Sequence, residues 1–190
     1  MVLTPLDAAL FYRLWLPLLD YVNNEYKVNP GIGQLTGAQS IDPMEVKAIA
    51  DYVWSHTEVI DEYLAYAGLP EEHHEIVSGW KRCRRGTYIL ERNLKKGSVF
   101  ISAEDTEVYM VLGLFSAWEE MFGYRPLPVM MEAVLLPFRD KIITDGLVIP
   151  YNIVFGRGAA ADFKDMAPGR SSFIAEAYAP ARSRVIVLIC

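Results

Sequence analysis

The fold class of this chain is decided by the stretch Leu135-Leu-Pro-Phe-Arg-Asp-Lys-Ile-Ile-Thr-Asp-Gly-Leu-Val-Ile-Pro-Tyr-Asn-Ile-Val-Phe-Gly156. Short runs rich in Val, Ile, Tyr and Phe alternate there with turn residues, which is typical of β-strands. Asp145-Gly146 lies between two apolar runs, and both central positions of a type I′ turn need a positive φ that Asp and Gly tolerate. We therefore expect a β-hairpin that reverses at Asp145-Gly146.

The same β signature extends outward from this stretch over the rear portion of the chain. The connections between the first predicted strands are too short for a parallel crossover, so we expect an antiparallel meander. The predicted strands are Thr87–Leu94, Ser98–Ser102, Glu107–Leu114, Val129–Phe138, Lys141–Thr144, Leu147–Ile149 and Tyr151–Phe155. A short helix is expected over Ala159–Met166, and the apolar run Val185–Cys190 would be a buried strand if ordered.

The front portion has helical rather than strand periodicity. Thr4-Pro5 is typical of a helix start, because Thr can cap the free amides and Pro lacks one. A second helix is predicted from Pro43 to Ala67, since Asp42 and Glu45 form a capping box and Gly68 is a suitable stop. A third helix is predicted from Pro70 to about Arg85.

These elements place the chain in the α+β class. We expect a single domain over residues 1–190, with a helical half at 1–85 and a β-rich half at 86–190. The expected architecture is an N-terminal three-helix segment packed on a C-terminal curved antiparallel sheet or a partly open β-barrel.

Charge and hydropathy restrict the function classes. The net charge of −6 argues against an extended nucleic-acid footprint, which needs clustered Lys and Arg. No basic leader precedes the first apolar segment, and no apolar run reaches the length of a membrane span. We therefore expect a cytoplasmic protein with no membrane contact, and nucleic acid is an unlikely partner.

The decisive stretch resembles a group of uncharacterised bacterial proteins. They share the order Leu136-Pro-Phe138, then Lys141-Ile-Ile-x-Asp-Gly-Leu147, then Tyr151-Asn-Ile-x-Phe-Gly156, here preceded by Trp118–Gly123 and Leu127-Pro128. The resemblance runs from the first helix to about Gly156. It implies a recurring cytoplasmic domain, and because the group has no assigned activity, it assigns no functional residue.

The candidate catalytic residues are few, because the sequence contains no strong catalytic motif. Asp140, Lys141 and Asp145 bring two carboxylates near a lysine, which suits acid–base chemistry. Ordinary turn chemistry explains the same residues more simply. His56 falls on the apolar face of the second helix, where a hydrogen-bonded core histidine is the better interpretation. No metal site and no cofactor are predicted.

The candidate binding residues are basic or aromatic. Lys81, Arg82, Arg84 and Arg85 could form a local basic patch for an anion or nucleic acid, although complementation of the helix dipole is the simpler explanation. Trp118 is the aromatic candidate.

The function these observations favour is a non-enzymatic binding or regulatory module. Its partner would be a second copy of the chain in a homodimer, or another protein. Two alternatives stay open. One is a small-molecule enzyme with a site at the helix–sheet junction, and the other is a nucleic-acid-contacting accessory protein.

Overall fold

The computed structural model describes residues 1–38, 42–123 and 125–166, and it has the predicted α+β class. The predicted strand Val185–Cys190 lies outside the described residues. The chain divides into two compact units. Of the described residues, the helical unit comprises those from 4 to 83, and the sheet unit comprises Met1–Leu3 and those from 84 to 166. Across the described residues, none of the helices is long and apolar enough to cross a bilayer.

The helical unit contains four α-helices and one 3₁₀ turn. The elements are α1 (Pro5–Tyr26), α2 (Pro43–Ser55), α3 (Glu58–Ala67), α4 (Glu71–Gly79) and the 3₁₀ turn Trp80–Arg82. The predicted caps are confirmed: Thr4 Oγ1 accepts the Asp7 N–H at 3.1 Å, and Asp42 Oδ1 accepts the Met44 N–H at 2.8 Å. Local capping chemistry therefore sets where the first two helices begin.

The prediction of one helix from Pro43 to Ala67, and hence of three helices, was wrong. The chain leaves helical geometry at His56, with φ −135° and ψ 64°, so that α2 and α3 are separate helices. Ser55 and Thr57 flank this residue, and Ser and Thr are residue types whose side chains can compete with helical hydrogen bonds. The predicted third helix is also shorter, because the first strand already begins at Arg84.

Four aromatic rings form the centre of the helical unit. The Trp15 ring stacks on Trp54 with centroids 4.8 Å apart, and its edge meets Trp80 at 5.8 Å. Phe11 packs against Trp80 at 5.6 Å. All four side chains are buried, so this cluster joins α1 to α2 and the 3₁₀ turn.

Over its described residues, the sheet unit contains six strands and two helices. The strands are β1 (Arg84–Leu94), β2 (Gly97–Ser102), β3 (Val108–Val111), β4 (Val129–Phe138), β5 (Lys141–Thr144) and β6 (Ile149–Pro150). Helix α5 (Trp118–Phe122) lies between β3 and β4, and α6 (Arg157–Met166) follows β6. The predicted bounds of β4 and β5 are confirmed, whereas residues 151–155 form no strand.

The strand order is β1-β2-β3-β5-β4-β6, and β1 also pairs with β4. The pairings of the first five strands therefore close into a ring. All pairs are antiparallel except β3–β5, where Val111 lies opposite Ile142 in parallel register. The expectation of a purely antiparallel sheet was wrong at this pair, because the α5 connection is long enough to bring β5 beside β3 in the same direction.

Asp145-Gly146 does not form the predicted hairpin. The strand β4 pairs first with β5 and then with β6 along the same edge, so the chain continues in one direction through Asp145. Thr144 lies opposite Leu135 and Ile149 lies opposite Glu132, which leaves an irregular bulge between the two short ladders. Gly146 supplies the positive φ of 85° that this bulge needs.

The two faces of the strands carry separate apolar clusters. The larger cluster includes Phe100, Trp118 and Met131, all fully or almost fully buried. The smaller cluster lies on the alternate residues of β1, β2 and β3, where Phe155 and Phe163 pack against it. Alternation of side chains along each strand explains why neighbouring residues belong to different clusters.

Candidate functional site

Asp140, Lys141 and Asp145 do not converge on one site. Asp140 is exposed at the β4–β5 turn, and the hydrogen bond it accepts from Lys141 Nζ at 2.7 Å lowers its pKa. Asp145 is buried and accepts the Leu147 N–H at 3.0 Å, which stabilises the bulge. Strand β5 lies between the two residues, so their α-carbons are roughly 16 Å apart at about 3.3 Å per residue.

His56 is exposed rather than buried in the core, which contradicts its predicted environment. Its ring stacks on Tyr52 with centroids 4.3 Å apart, and Nδ1 lies 3.1 Å from the Tyr52 carbonyl oxygen. The predicted helix would have turned this ring inward, but the helix ends at His56 and presents it to solvent.

The candidate basic residues are divided between the two units. Lys81, in the helical unit, forms an ion pair with Asp61 at 2.6 Å. Arg84, in the sheet unit, forms ion pairs with Asp105 at 2.8 Å and with Glu107. Carboxylates therefore offset part of the charge that a phosphate backbone would need.

The remaining binding candidates differ in exposure. Arg82 and Arg85 are exposed at the surface. The Trp118 ring is buried, with the Phe100 ring 5.0 Å away and the Phe122 ring 6.0 Å away. Trp118 therefore contributes to the core of the sheet unit in this conformation.

An open groove in the helical unit offers a better site. We call it the tyrosine groove, and its cavity volume is about 720 Å³. Small-molecule sites commonly have volumes of a few hundred to a thousand cubic ångströms. The residues that line it are Pro17, Asp20, Tyr21, Asn24, Glu25, Gln34, Thr36, Tyr63, Tyr66 and Ala67.

Helical spacing places the walls of the tyrosine groove. Asp20 and Asn24 are four residues apart on α1, as are Tyr21 and Glu25, so these side chains project from one side of the helix. Tyr63 and Tyr66 are similarly three residues apart on α3. The groove forms where these two helix faces lie side by side.

Asp20 attaches the third wall, the loop that follows α1. Its carboxylate accepts the backbone N–H of Leu35 at 2.6 Å and that of Thr36 at 2.9 Å. It also accepts the Thr36 hydroxyl at 2.5 Å. Both carboxylate oxygens are used in this way, so Asp20 positions the loop that carries Gln34 and Thr36.

Aromatic rings line the floor and one wall of the groove. The Tyr21 ring lies 5.6 Å from Tyr63 and 5.4 Å from Tyr66. Tyr63 is buried, whereas Tyr66 is 76% exposed. A second aromatic set begins one turn farther along α1, where Tyr26 donates to Glu62 and lies 5.2 Å from Tyr52.

Burial and nearby carboxylates raise the pKa of two phenols on this surface, those of Tyr21 and Tyr26. Burial raises the pKa of Tyr21, and the negative charges of Glu62 and Glu25 raise it further. The hydrogen bond to Glu62 raises the pKa of Tyr26 to about 12. Among the described lining residues the ionisable groups are carboxylates and phenols, and none is basic. The groove therefore combines aromatic rings with negative charge.

A smaller groove lies in the sheet unit. Residues 125–129 and 151–155 line it, and its cavity volume is about 130 Å³. Tyr151 fixes one side, because its N–H donates to the Met130 carbonyl at 2.8 Å and its hydroxyl donates to Glu132 at 2.8 Å. Its volume suits a small group rather than a whole ligand.

Sequence reasoning missed the tyrosine groove. Tyr63 and Tyr66 recur at helical spacing, which is a usable signal, but it does not show which helix lies beside them. Within the described residues, no group of three or more His, Cys, Asp or Glu side chains is arranged to hold a metal ion.

Comparison with protein-family models, with curated proteins and with solved structures finds no match. The resemblance to the bacterial group stays a prediction.

Proposed function

We propose that the protein is a non-enzymatic binding module whose ligand site is the tyrosine groove. The observation that carries the proposal is the groove itself, an open cavity of about 720 Å³ walled by Tyr21, Tyr63 and Tyr66. Tyrosine is enriched at binding interfaces, because its ring provides a large contact area at a low entropy cost, and Tyr66 is 76% exposed here.

The chemistry of the groove supports binding rather than catalysis. Asp20 already accepts three hydrogen bonds from its own loop, so it serves as an anchor and not as a general base. The phenols of Tyr21 and Tyr26 have raised pKa values, which removes them as nucleophiles near neutral pH. These features favour binding of a ligand over chemical reaction with it.

The proposal includes a cytoplasmic location and association with another protein or a second copy, both of which rest on the sequence. Light scattering of the purified full chain measures self-association directly.

We expect at least one class of small ligand to bind in the tyrosine groove. In amide NMR spectra of the isotope-labelled full chain, a fragment set with cationic, anionic and neutral members should shift residues 17–25 and 63–67. Tyr66→Ala should weaken the shifts, because it removes an exposed wall without opening the core. Met44→Ala is the control, since Met44 is 67% exposed on α2 and does not line the groove. The proposal would be overturned if no ligand caused shifts, or if the shifts were the same size in the Tyr66→Ala variant.

A second candidate function is contact with single-stranded nucleic acid, and the strand order favours it. A five-stranded ring in the order β1-β2-β3-β5-β4, with a helix before β4, resembles the strand order of OB folds. Such folds commonly bind oligonucleotides on the face of the second and third strands. Here Phe155 and Phe163 pack on that face, and a shared fold does not establish a shared function. This candidate therefore ranks second.

Fluorescence anisotropy with a labelled single-stranded oligonucleotide separates the two candidates. At physiological salt we expect no binding by the full chain, because its net charge is −6 and aromatic side chains cover the strand face. Lys95 and Lys96 are exposed at the β1–β2 turn. Tight binding that the Lys95→Ala, Lys96→Ala double variant abolishes would place the nucleic-acid function first.

A further inference from the structure

We infer that the tyrosine groove recognises a positively charged nitrogen group on an aliphatic stem, an ammonium or a guanidinium. This inference rests on the proposed function and specifies the ligand class. It follows from three features of the groove: a cluster of tyrosine rings of which Tyr66 is exposed, an excess of negative charge and an open side.

The aromatic faces are the first feature. A cation held over the face of a tyrosine ring is attracted by the negative potential of the ring, and several rings around one cation form the sites that bind alkylammonium groups. The Tyr21 ring lies between the other two, with its centroid 5.6 Å from that of Tyr63 and 5.4 Å from that of Tyr66. Tyr66 is the most exposed of the three, so it is the ring most available to a ligand.

The charge of the lining is the second feature. Asp20 and Glu25 line the groove, and Glu62 is close enough to Tyr21 to raise the pKa of its phenol. Glu25 and Glu62 are exposed, which leaves their carboxylates accessible to a ligand. A cation in the groove would gain from these carboxylates and from the rings together, whereas an anion would be repelled.

The open side is the third feature. The groove runs along the surface between α1 and α3, so its ligand can be a small free amine or a Lys or Arg side chain presented by a protein chain. The aliphatic stem of either would pack on Pro17 and Ala67, which also line the groove. The cationic group is common to both sources, and the experiment below separates them.

Isothermal titration of the full chain tests the inference with matched ligands. N-acetyl-arginine amide should bind. N-acetyl-citrulline amide has nearly the same shape without the charge, and it should bind roughly 3- to 10-fold more weakly. A short peptide containing one arginine and a free alkylamine form the two further arms. Tighter binding of the peptide assigns the site to a protein partner, and equal or tighter binding of the alkylamine assigns it to a small amine.

Variants connect the binding to the proposed contacts. Tyr66→Ala and Glu25→Gln should each weaken arginine binding by roughly 3- to 10-fold, whereas Tyr66→Phe should retain it, since the aromatic face persists. Glu71→Gln is the charge control, because Glu71 is exposed on α4 outside the groove.

Equal affinity for the arginine and citrulline ligands would overturn the cation assignment while leaving the groove as a binding site. Absence of binding by every fragment class would overturn the proposed function as well. The two failures are therefore distinguishable.

Discussion

Replacing Trp15 with alanine should lower the free energy of unfolding by roughly 3–5 kcal/mol. Trp15 is only 2% exposed and stands at the centre of the aromatic cluster of the helical unit. Its ring is nearly parallel to Trp54, at an angle of 9°, and perpendicular to Trp80. Truncation would remove these ring contacts and leave a cavity that rigid helices fill poorly.

Urea denaturation followed by far-ultraviolet circular dichroism measures this effect, because the signal reports the helices directly. Leu6→Ala is the matched control: Leu6 lies on the same helix and is 84% exposed, so its truncation should change stability by less than about 0.5 kcal/mol. Equal losses for the two variants would show that Trp15 does not hold α1 against its neighbours.

The element boundaries that sequence reasoning predicted well are those set by local chemistry. Thr4-Pro5 and Asp42-Pro43 satisfy the free amides of a first helical turn by themselves, and both helices begin there. The bounds of β4 and β5 were predicted correctly because the Arg139-Asp140 turn between them is tight. At such sites a few adjacent residues are enough to explain where the helix or strand begins or ends.

The predictions that failed depended on partners distant in sequence. Asp145-Gly146 suits a reversal, yet the open edge of β4 provides ladder positions for Ile149 and Pro150 farther on, so the chain continues forward. Asp145-Gly146 does form an irregular turn-like bulge, but pairing with β4 determines the direction in which the chain leaves it. Similarly, the apolar residues on both sides of His56 keep one continuous helical spacing. That spacing does not show that the chain changes direction at His56.

The candidate site shows the same limit more strongly. The sequence directed attention to Asp140, Lys141 and Asp145 because their residue types suit catalysis, yet turn and bulge geometry accounts for each of them. The tyrosine groove needs α1, α3 and the loop held by Asp20 to lie together. The spacing of residues within one helix does not predict which other elements lie beside it. The groove can therefore be recognised only in the tertiary structure.

Phe100→Ala should destabilise the sheet unit by roughly 3–5 kcal/mol. Phe100 is fully buried, and its partners across the strands are Leu90 on β1 and Tyr109 on β3. Its ring also meets Trp118 at 5.0 Å. The side chain thus joins two ladders and α5, and because five strands pair in a closed ring, a cavity at this point weakens several pairings together.

Phe115→Ala provides a control with the same change in side-chain volume. Phe115 is 61% exposed, so its truncation removes mostly solvated surface and should cost less than about 1 kcal/mol. Amide hydrogen exchange resolves the effect by location: protection should fall across β1, β2 and β3 in Phe100→Ala and persist in Phe115→Ala. If the loss of protection were confined to β2, the strands would open independently, and the closed ring of pairings would not act as one cooperative structure.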